Sequence, residues 1–279
     1  MNVVSFGSCL SYLTSVELKL HYQCTFKSAN FQNRSDSFVA KYIDKTESLP
    51  PYDLFNEQLQ YVPEHEAESR EVLENQYLDR MGKNAEGCFP FLETLQNDKI
   101  DIIVLDNFFD IAGMLFRVDK FFDHPPFDVF LNFHHYTNDL TKWGRLTDFM
   151  DQAEAARNWV KLCRWLRSYQ PHAKIFLLSF QVCQSIRDAD RYVRGKRFFD
   201  EIVKVMPEDL NVDIFPAIDV EETYHKGYDD WAHFTPTVYK ALAGTIFLKT
   251  VGNLPPFPRD YVQTWDRNIV EKALAPQTS

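Results

Sequence analysis

The sequence predicts an α/β fold, a three-layer sandwich with a central parallel sheet, because apolar strands alternate with amphipathic helices along most of the chain. One apolar run, Asn2 to Phe6, ends at Gly7, and Leu10 onward has a helical pattern. A second run, Ile100 to Leu105, is the continuous apolar type that a parallel sheet buries on both faces. Ligands of such sheets bind beyond the carboxyl ends of the strands, so residues that follow a strand are the first candidates for a site.

The other elements continue this alternation. Strands are predicted at Phe127 to Phe133, Lys174 to Phe180 and Val212 to Phe215, and helices at Asp151 to Tyr169, Arg187 to Val205 and Thr235 to Thr250.

The organisation predicted is a single domain over residues 1–279 with additions to its framework. Residues 24–95 lack a steady period at first and then form a charged helix, so we expect a cap or insertion there. Residues 255–279 are expected to be a partly extended C-terminal tail.

Composition excludes several classes of protein. The chain has 279 residues, of which 45% are hydrophobic and 25% charged, as in folded globular proteins. Its net charge of −10 argues against sequence-independent binding of nucleic acid, which needs a cationic surface to displace counterions. No apolar stretch reaches the ~18 residues typical of a transmembrane helix, and the first residues do not have the pattern of a signal peptide.

The cysteine pattern points to reduced thiols. Five cysteines are present, an odd number, and no two of them form a C-x-x-C pair. We therefore expect a cytoplasmic protein, without nucleic-acid or membrane partners. The sequence does not indicate the oligomeric state.

The first candidate segment is Phe6-Gly7-Ser8-Cys9-Leu10-Ser11, between the first strand and the first helix. Glycine permits a sharp turn, and the free N–H groups of a helix N-terminus stabilise a thiolate or an oxyanion. Cys9, or Ser8 in its place, is thus a candidate nucleophile. The alternative is structural, with Cys9 as a small buried apolar residue and Ser8 as a helix N-cap.

The second candidate segment is Asp230-Trp231-Ala232-His233, expected in a loop before the last helix. A carboxylate three residues before a histidine can orient the imidazole while the other ring nitrogen faces a nucleophile. Ordinary surface hydrogen bonding is the alternative.

The third candidate segment is Asp106-Asn107, which ends a buried strand. The side-chain N–H of Asn107 could donate to the oxygen that becomes negative during acyl transfer. The alternative is that Asn107 only begins a loop.

In their order along the chain, these three segments resemble the SGNH or GDSL hydrolase superfamily. In that family a Gly-Asp-Ser turn follows the first strand, an Asn ends a middle strand, and Asp-x-x-His precedes the last helix. Gly7-Ser8-Cys9 is similar to the opening motif of variant branches such as the GSCFA-type proteins and polysaccharide acetyltransferase relatives. The residues that flank Asn107 depart from the family pattern, and the glycine of its second motif has no counterpart.

The resemblance implies acyl transfer or ester hydrolysis on an oxygen of a sugar, polysaccharide precursor or small metabolite. Cys9 would be the nucleophile, His233 the base, Asp230 its orienting carboxylate and Asn107 an oxyanion donor. A cysteine would form a thioester intermediate, which favours O-acyl transfer over hydrolysis, with acetyl-coenzyme A or another acyl thioester as donor and no cofactor required. The alternative is a catalytically silent SGNH-like domain that binds a glycan or a protein.

Other polar residues have weaker patterns. Arg34 in the expected cap could bind a substrate carboxylate or phosphate, or form a salt bridge within a turn. The basic residues from Arg187 to Arg197 could hold coenzyme A phosphates, or could form a solvated helix face. His134-His135, and His225 near Asp229, have no recognisable ligand spacing, so no metal is expected.

Overall fold

A computed structural model of the chain describes residues 1–77, 90–179, 189–216, 220, 222–227 and 230–257, with the backbone alone at 189, 192, 222, 227 and 230–232. Its strands are β1 (Asn2–Gly7), β2 (Thr25–Phe31), β3 (Ile102–Asp106), β4 (Phe116–Val118), β5 (Phe127–Val129), β6 (Gly144–Leu146), β7 (Lys174–Leu178), β8 (Val212–Phe215), β9 (His225–Gly227) and β10 (Asp230–Phe234).

The helices are α1 (Cys9–Tyr22), α2 (Ser35–Phe38), α3 (Tyr52–Asn56), α4 (Glu66–Tyr77), α5 (Phe91–Asn97), α6 (Phe108–Ala112), α7 (Gln152–Tyr169), α8 (Ala189–Val205) and α9 (Pro236–Val251). A π-helical turn covers Val39–Ile43, and 3₁₀ turns cover Pro63–His65, Phe133–His135, Leu140–Lys142, Glu208–Leu210 and Glu222–Tyr224.

The core of the molecule is a five-stranded sheet of order β2-β1-β3-β7-β8, in which every pairing is parallel. All five residues of β3 are buried, as expected for the centre of such a sheet. The chain winds from β1 to β2 on one side and onward to β3 on the other, so the crevice at the carboxyl ends of β1 and β3 is where such sheets bind ligands. The predicted three-layer α/β architecture is confirmed.

Two groups of helices flank this sheet. Helices α1 and α9 pack on each other, and α7 packs on both α5 and α8. Trp159 of α7 meets Phe6 of β1 edge to face, with ring centroids 5.7 Å apart. The helical stripe Trp159, Leu162, Cys163 and Leu166 is fully buried, as its spacing predicts.

The predicted cap begins too early in the chain. Residues Thr25–Phe31, which fall inside the expected 24–95 insertion, form an edge strand of the central sheet and pair with β1. The strand was missed because its buried half mixes polar Ser28 and Asn30 with Ala29 and Phe31, so no apolar run marks it.

The predicted parallel strand at Phe127 to Phe133 is also wrong. Only Phe127–Val129 is a strand, and it belongs to a separate antiparallel sheet of order β5-β4-β6. This small sheet has its own apolar core, to which two separate segments of the chain contribute: Phe55, Leu59, Leu73, Phe116, Val118, Phe121, Phe127, Val129, Leu131, Tyr136 and Leu140. Burial in this second core explains an apolar run that is as dense as those of the main sheet.

The first residues of the expected tail are docked on the central sheet. The backbone N–H of Phe257 donates to Asp213 of β8 at 2.8 Å, and its ring meets Phe215 edge to face. Residues 258–279 lie outside the described part. Among the described residues, no helix combines the length and the apolar character that crossing a bilayer requires.

Candidate active site

The turn after β1 is shaped by close contact with the end of β3. Gly7 has φ = 141°, and a Cβ atom at this position would lie 2.5 Å from Oδ2 of Asp106. Backbone conformation and lack of space therefore both require glycine at this position.

The carboxylate of Asp106 organises this turn. Its Oδ2 accepts the backbone N–H of Ser8 at 2.7 Å and that of Ser11 at 2.9 Å, and Oδ1 accepts from Phe108 at 3.0 Å. Burial raises the pKa of Asp106, while the three N–H donors act in the opposite direction. In the sequence Asp106 is notable only as a neighbour of Asn107, because nothing local in the chain links it to a turn 98 positions away.

The two candidate nucleophiles of the turn have different surroundings. Ser8 is buried, and its Oγ accepts the N–H of Leu10 at 3.2 Å as the N-cap of α1. Cys9, the first residue of α1, is only partly buried, and its Sγ lies 3.3 Å from Nε2 of His233. The turn thus brings the thiol to the imidazole and commits the Ser8 hydroxyl to the helix. A thiol at this distance from an imidazole, at a helix N-terminus, is the arrangement that generates a nucleophilic thiolate.

His233 reaches the thiol from a hairpin and not from the loop that the sequence predicts. It lies in β10, which pairs antiparallel with β9. The N–H of Phe234 donates to Tyr239 Oη of α9 at 3.0 Å, and Thr235 N–H donates to the carbonyl of Tyr224 at 2.7 Å. These bonds fix the hairpin against the start of α9. The side chain of Asp230 lies outside the described residues, so its expected contact with His233 stays a prediction.

Packing between α1 and α9 supports the meeting of Cys9 and His233. The ring of Tyr22 stacks on Phe247 with centroids 4.6 Å apart. A Cβ on Gly244 would lie 2.8 Å from the Tyr22 hydroxyl, so glycine admits this close approach. Because Cys9 begins α1 and His233 lies just before α9, this contact helps to hold the two residues in register.

Asn107 lies one residue beyond β3, in the position before α6. It is buried, with φ = −102° and ψ = 19°, a sparsely populated conformation in which many active-site residues are found. Its carbonyl accepts the N–H of Asp110 at 3.1 Å. The structure therefore places Asn107 next to Asp106, at the edge of the sheet that carries Cys9, and its oxyanion role stays a prediction.

Arg34 forms the turn salt bridge that the sequence allowed. Its guanidinium donates twice to the Asp36 carboxylate, at 2.9 and 2.7 Å, and it also reaches the carbonyls of Gly113 and Asp148. The side chain is buried, and the salt bridge contributes to raising its pKa, although burial alone would lower it. These contacts give Arg34 a structural role, and its expected binding of a substrate stays a prediction.

The basic residues of α8 are partly used within the fold. Arg194 donates to the carbonyl of Ile111 at 2.6 Å and lies over the ring of Phe149, and Lys196 pairs with Asp200 at 2.7 Å. Arg187 lies outside the described residues. The expected coenzyme A contact of this helix stays a prediction.

Comparison with solved structures places carbohydrate esterases among the similar chains. A carbohydrate esterase family 2 enzyme with a carbohydrate-binding domain, from Corynascus thermopiles (Myceliophthora fergusii), is 13% identical with a TM-score of 0.43, covering 90% of this chain and 66% of that one. An acetyl xylan esterase from the rumen bacterium Butyrivibrio proteoclasticus is 10% identical with a TM-score of 0.42, covering 90% and 64%. A GDSL-like lipase candidate from Parabacteroides merdae is 10% identical with a TM-score of 0.40, covering 90% and 95%.

The chain thus spans just under two thirds of the length of the two esterases. No family model and no curated protein sequence matches it.

Proposed function

We propose that this protein is an SGNH-type enzyme of the Gly-Ser-Cys branch that moves or removes an acyl group on an oxygen, with Cys9 as nucleophile and His233 as general base. The observation that carries the proposal is the 3.3 Å distance between Cys9 Sγ and His233 Nε2. These residues are 224 positions apart, and they meet at the carboxyl edge of the sheet. This edge is where a fold of this type binds its ligands.

In the first step, His233 Nε2 takes the thiol proton of Cys9 and the sulfur attacks the carbonyl carbon of the acyl donor. The carbonyl π bond opens, and the oxygen becomes an oxyanion. Asn107 and the backbone N–H of Cys9 at the helix N-terminus would donate to this oxygen. When the tetrahedral intermediate collapses, the leaving alcohol or thiol takes the proton from His233, and the acyl group remains on Cys9 as a thioester.

In the second step, His233 removes a proton from the incoming hydroxyl, which attacks the thioester carbon. The Cys9 thiolate leaves and recovers the proton from His233. A sugar hydroxyl as acceptor gives O-acyl transfer, and water gives hydrolysis. Asp230 would orient His233 through its second ring nitrogen and stabilise the imidazolium in both steps.

The thiol favours transfer over hydrolysis. A thioester can be formed from another thioester with little change in free energy, so acetyl-coenzyme A or a similar acyl thioester is the donor that we propose. The acceptor would be a sugar, a polysaccharide precursor or a similar polyol. The Ser8 hydroxyl is a poor substitute nucleophile because it caps α1.

Two reactions separate the possible activities. The protein is incubated with an aryl acetate alone, and with acetyl-coenzyme A plus a panel of sugars, and intact mass detects an acyl adduct after acid quenching. Acylation of Cys9 with release of acetate indicates an esterase, whereas acetylated sugar indicates a transferase. Cys9→Ala should abolish the adduct, and His233→Ala should slow its formation about 10²- to 10⁴-fold.

Cys24→Ala serves as the matched control, because this second thiol is buried outside the turn and should be dispensable. If no adduct and no turnover are found, and glycan or protein binding survives Cys9→Ala, the protein is a catalytically silent binding domain and not an enzyme.

A further inference from the structure

Three potential metal ligands from two separate segments of the chain lie together, and none of them belongs to the candidate active site. They are His65, Glu68 and His135, and one ligand atom of each lies within 4.8 Å of those of the other two. The imidazole rings of His65 and His135 stack with centroids 4.0 Å apart and planes 7° from parallel. One ring must therefore rotate before both nitrogens can direct their in-plane lone pairs at a single ion. This cluster has no sequence signature, because one ligand lies in a different segment from the other two.

A neighbouring hydroxyl fixes one of these rings. Ser69 Oγ, which is buried, lies 2.9 Å from Nδ1 of His135. When the hydroxyl accepts from Nδ1–H, the ring adopts the tautomer whose Nε2 carries a lone pair. Metal-binding histidines are typically held in this way by a second hydrogen bond from the far ring nitrogen.

The backbone holds the two ligand-bearing segments together. The N–H of Val62 donates to the carbonyl of His135 at 2.8 Å, and Thr137 N–H donates to the carbonyl of Gln60 at 2.7 Å. Tyr61 and Tyr136 form an isolated antiparallel bridge between these bonds. The backbone therefore holds the two segments together before an ion binds, so that only side chains have to reorient, which lowers the entropic cost of binding.

The chemical types of the three ligands favour one class of metal ion. Two imidazoles and one carboxylate are the ligands of zinc and similar transition metals, whereas magnesium and calcium prefer oxygen ligands throughout. Glu68 is exposed and His65 and His135 are partly buried, so an ion is accessible from solvent and a water molecule can complete four-coordination.

We propose that His65, Glu68 and His135 bind a divalent transition metal ion of the zinc type. The ion would join the start of α4 to the turn Phe133–His135, and so fasten the small antiparallel sheet to the helix that packs beside it. Its role would be to stabilise this part of the fold.

The test is a titration of the full chain, freed of metal with a chelator, with zinc sulfate in a calorimeter. We expect one zinc ion per chain, a melting temperature that rises with zinc, and no comparable response to magnesium. Glu68→Gln, an exposed change that preserves packing, should weaken zinc binding at least about tenfold. His65→Ala and His135→Ala should weaken it further, whereas the exposed neighbour His134→Ala should not.

A further variant distinguishes zinc binding at this cluster from zinc binding at the candidate active site, where a thiol and an imidazole could also bind the ion. In Cys9→Ser the zinc isotherm and the shift in melting temperature should be unchanged. Zinc binding that vanishes in Cys9→Ser but persists in Glu68→Gln and His65→Ala would overturn the proposal. A chain that does not bind zinc at all would overturn it equally, and would leave the three residues as a stacked histidine pair beside a carboxylate.

Discussion

Asp106 Oδ2 accepts the backbone N–H of Ser8 at 2.7 Å, and so joins the end of β3 to the turn that carries Cys9. The same oxygen accepts the N–H of Ser11 from the first turn of α1. One buried carboxylate thus sets the direction in which α1 leaves the sheet, and with it the position of the thiol relative to His233. The geometry of the candidate site depends on this carboxylate as much as on Cys9 and His233 themselves.

Replacing Asp106 by Asn should damage both stability and thiol reactivity. An amide offers one oxygen where the carboxylate offers two, so at least one of the three N–H donors would face an NH₂ group and lose its partner. An unsatisfied buried donor costs about 1–3 kcal/mol, and we expect the free energy of unfolding to fall by that amount. Urea denaturation measures this loss, and the rate of Cys9 alkylation by iodoacetamide should fall as the turn relaxes.

Asp101→Asn is the matched control for this change. Asp101 Oδ2 accepts the N–H of Asn2 at 2.8 Å, at the opposite end of β1. Its replacement should reduce stability and leave the alkylation rate of Cys9 unaltered. Equal effects of the two variants on that rate would show that Asp106 acts only on global stability.

The thiols of the chain should differ in reactivity. Cys9 is partly exposed, whereas Cys24 and Cys163 are buried. Burial raises the pKa of the Cys24 thiol, and it raises the pKa of the Cys163 thiol to about 12. Iodoacetamide at neutral pH should therefore label Cys9 at least about tenfold faster than these two, since the thiolate is the reacting form. Peptide mapping after timed quenching measures the three rates.

The same experiment tests the part played by the imidazole. His233→Ala should slow the alkylation of Cys9, because the proton acceptor 3.3 Å from the sulfur is gone. His172→Ala, an exposed histidine before β7, should have no effect. An unchanged rate in His233→Ala would mean that the helix N-terminus alone activates the thiol.

The sequence indicated the parts of the site that are local in the chain. The strand, turn and helix around Gly7 follow from a short apolar run and one glycine, and the structure has them at the expected positions. The function of Asp106 was not visible in this way, because its bond to Ser8 spans 98 positions and depends on which strands become neighbours. The pairing of β1 with β3 is a property of the whole sheet.

The sequence prediction failed where polar residues are buried and where an apolar run packs in a different core. Ser28 and Asn30 are completely buried in β2, although serine and asparagine usually indicate loops. Conversely, the run from Phe127 to Phe133 is as apolar as a central strand, but its buried residues pack in the second core. Periodicity reports whether a segment is buried, and it does not report which core buries it.

Asp110 should make the stability of the protein depend on pH. It is buried and accepts hydrogen bonds from the Ser35 backbone N–H and from Trp159 Nε1–H, and burial raises its pKa to about 7. In the unfolded chain the carboxyl loses its proton near pH 3.8, whereas the folded chain retains it until about pH 7. The folded state therefore binds more protons in this window, so the stabilising contribution of Asp110 is complete below pH 3.8 and is lost as pH rises toward 7.

Asp110→Asn removes this titration, so the difference in unfolding free energy between wild type and variant should be largest below about pH 4. It should shrink by about 1–4 kcal/mol by pH 8, since one pKa unit corresponds to 1.36 kcal/mol. Urea denaturation of both proteins at matched pH values measures the difference, in which the other titrating groups cancel. Asp139→Asn, at an exposed residue whose pKa is lowered by bonds from Thr141, should show no such trend between pH 5 and 8. A difference for Asp110 that is constant or grows with pH would mean that its carboxylate stays ionised in the folded protein, held by the two N–H donors.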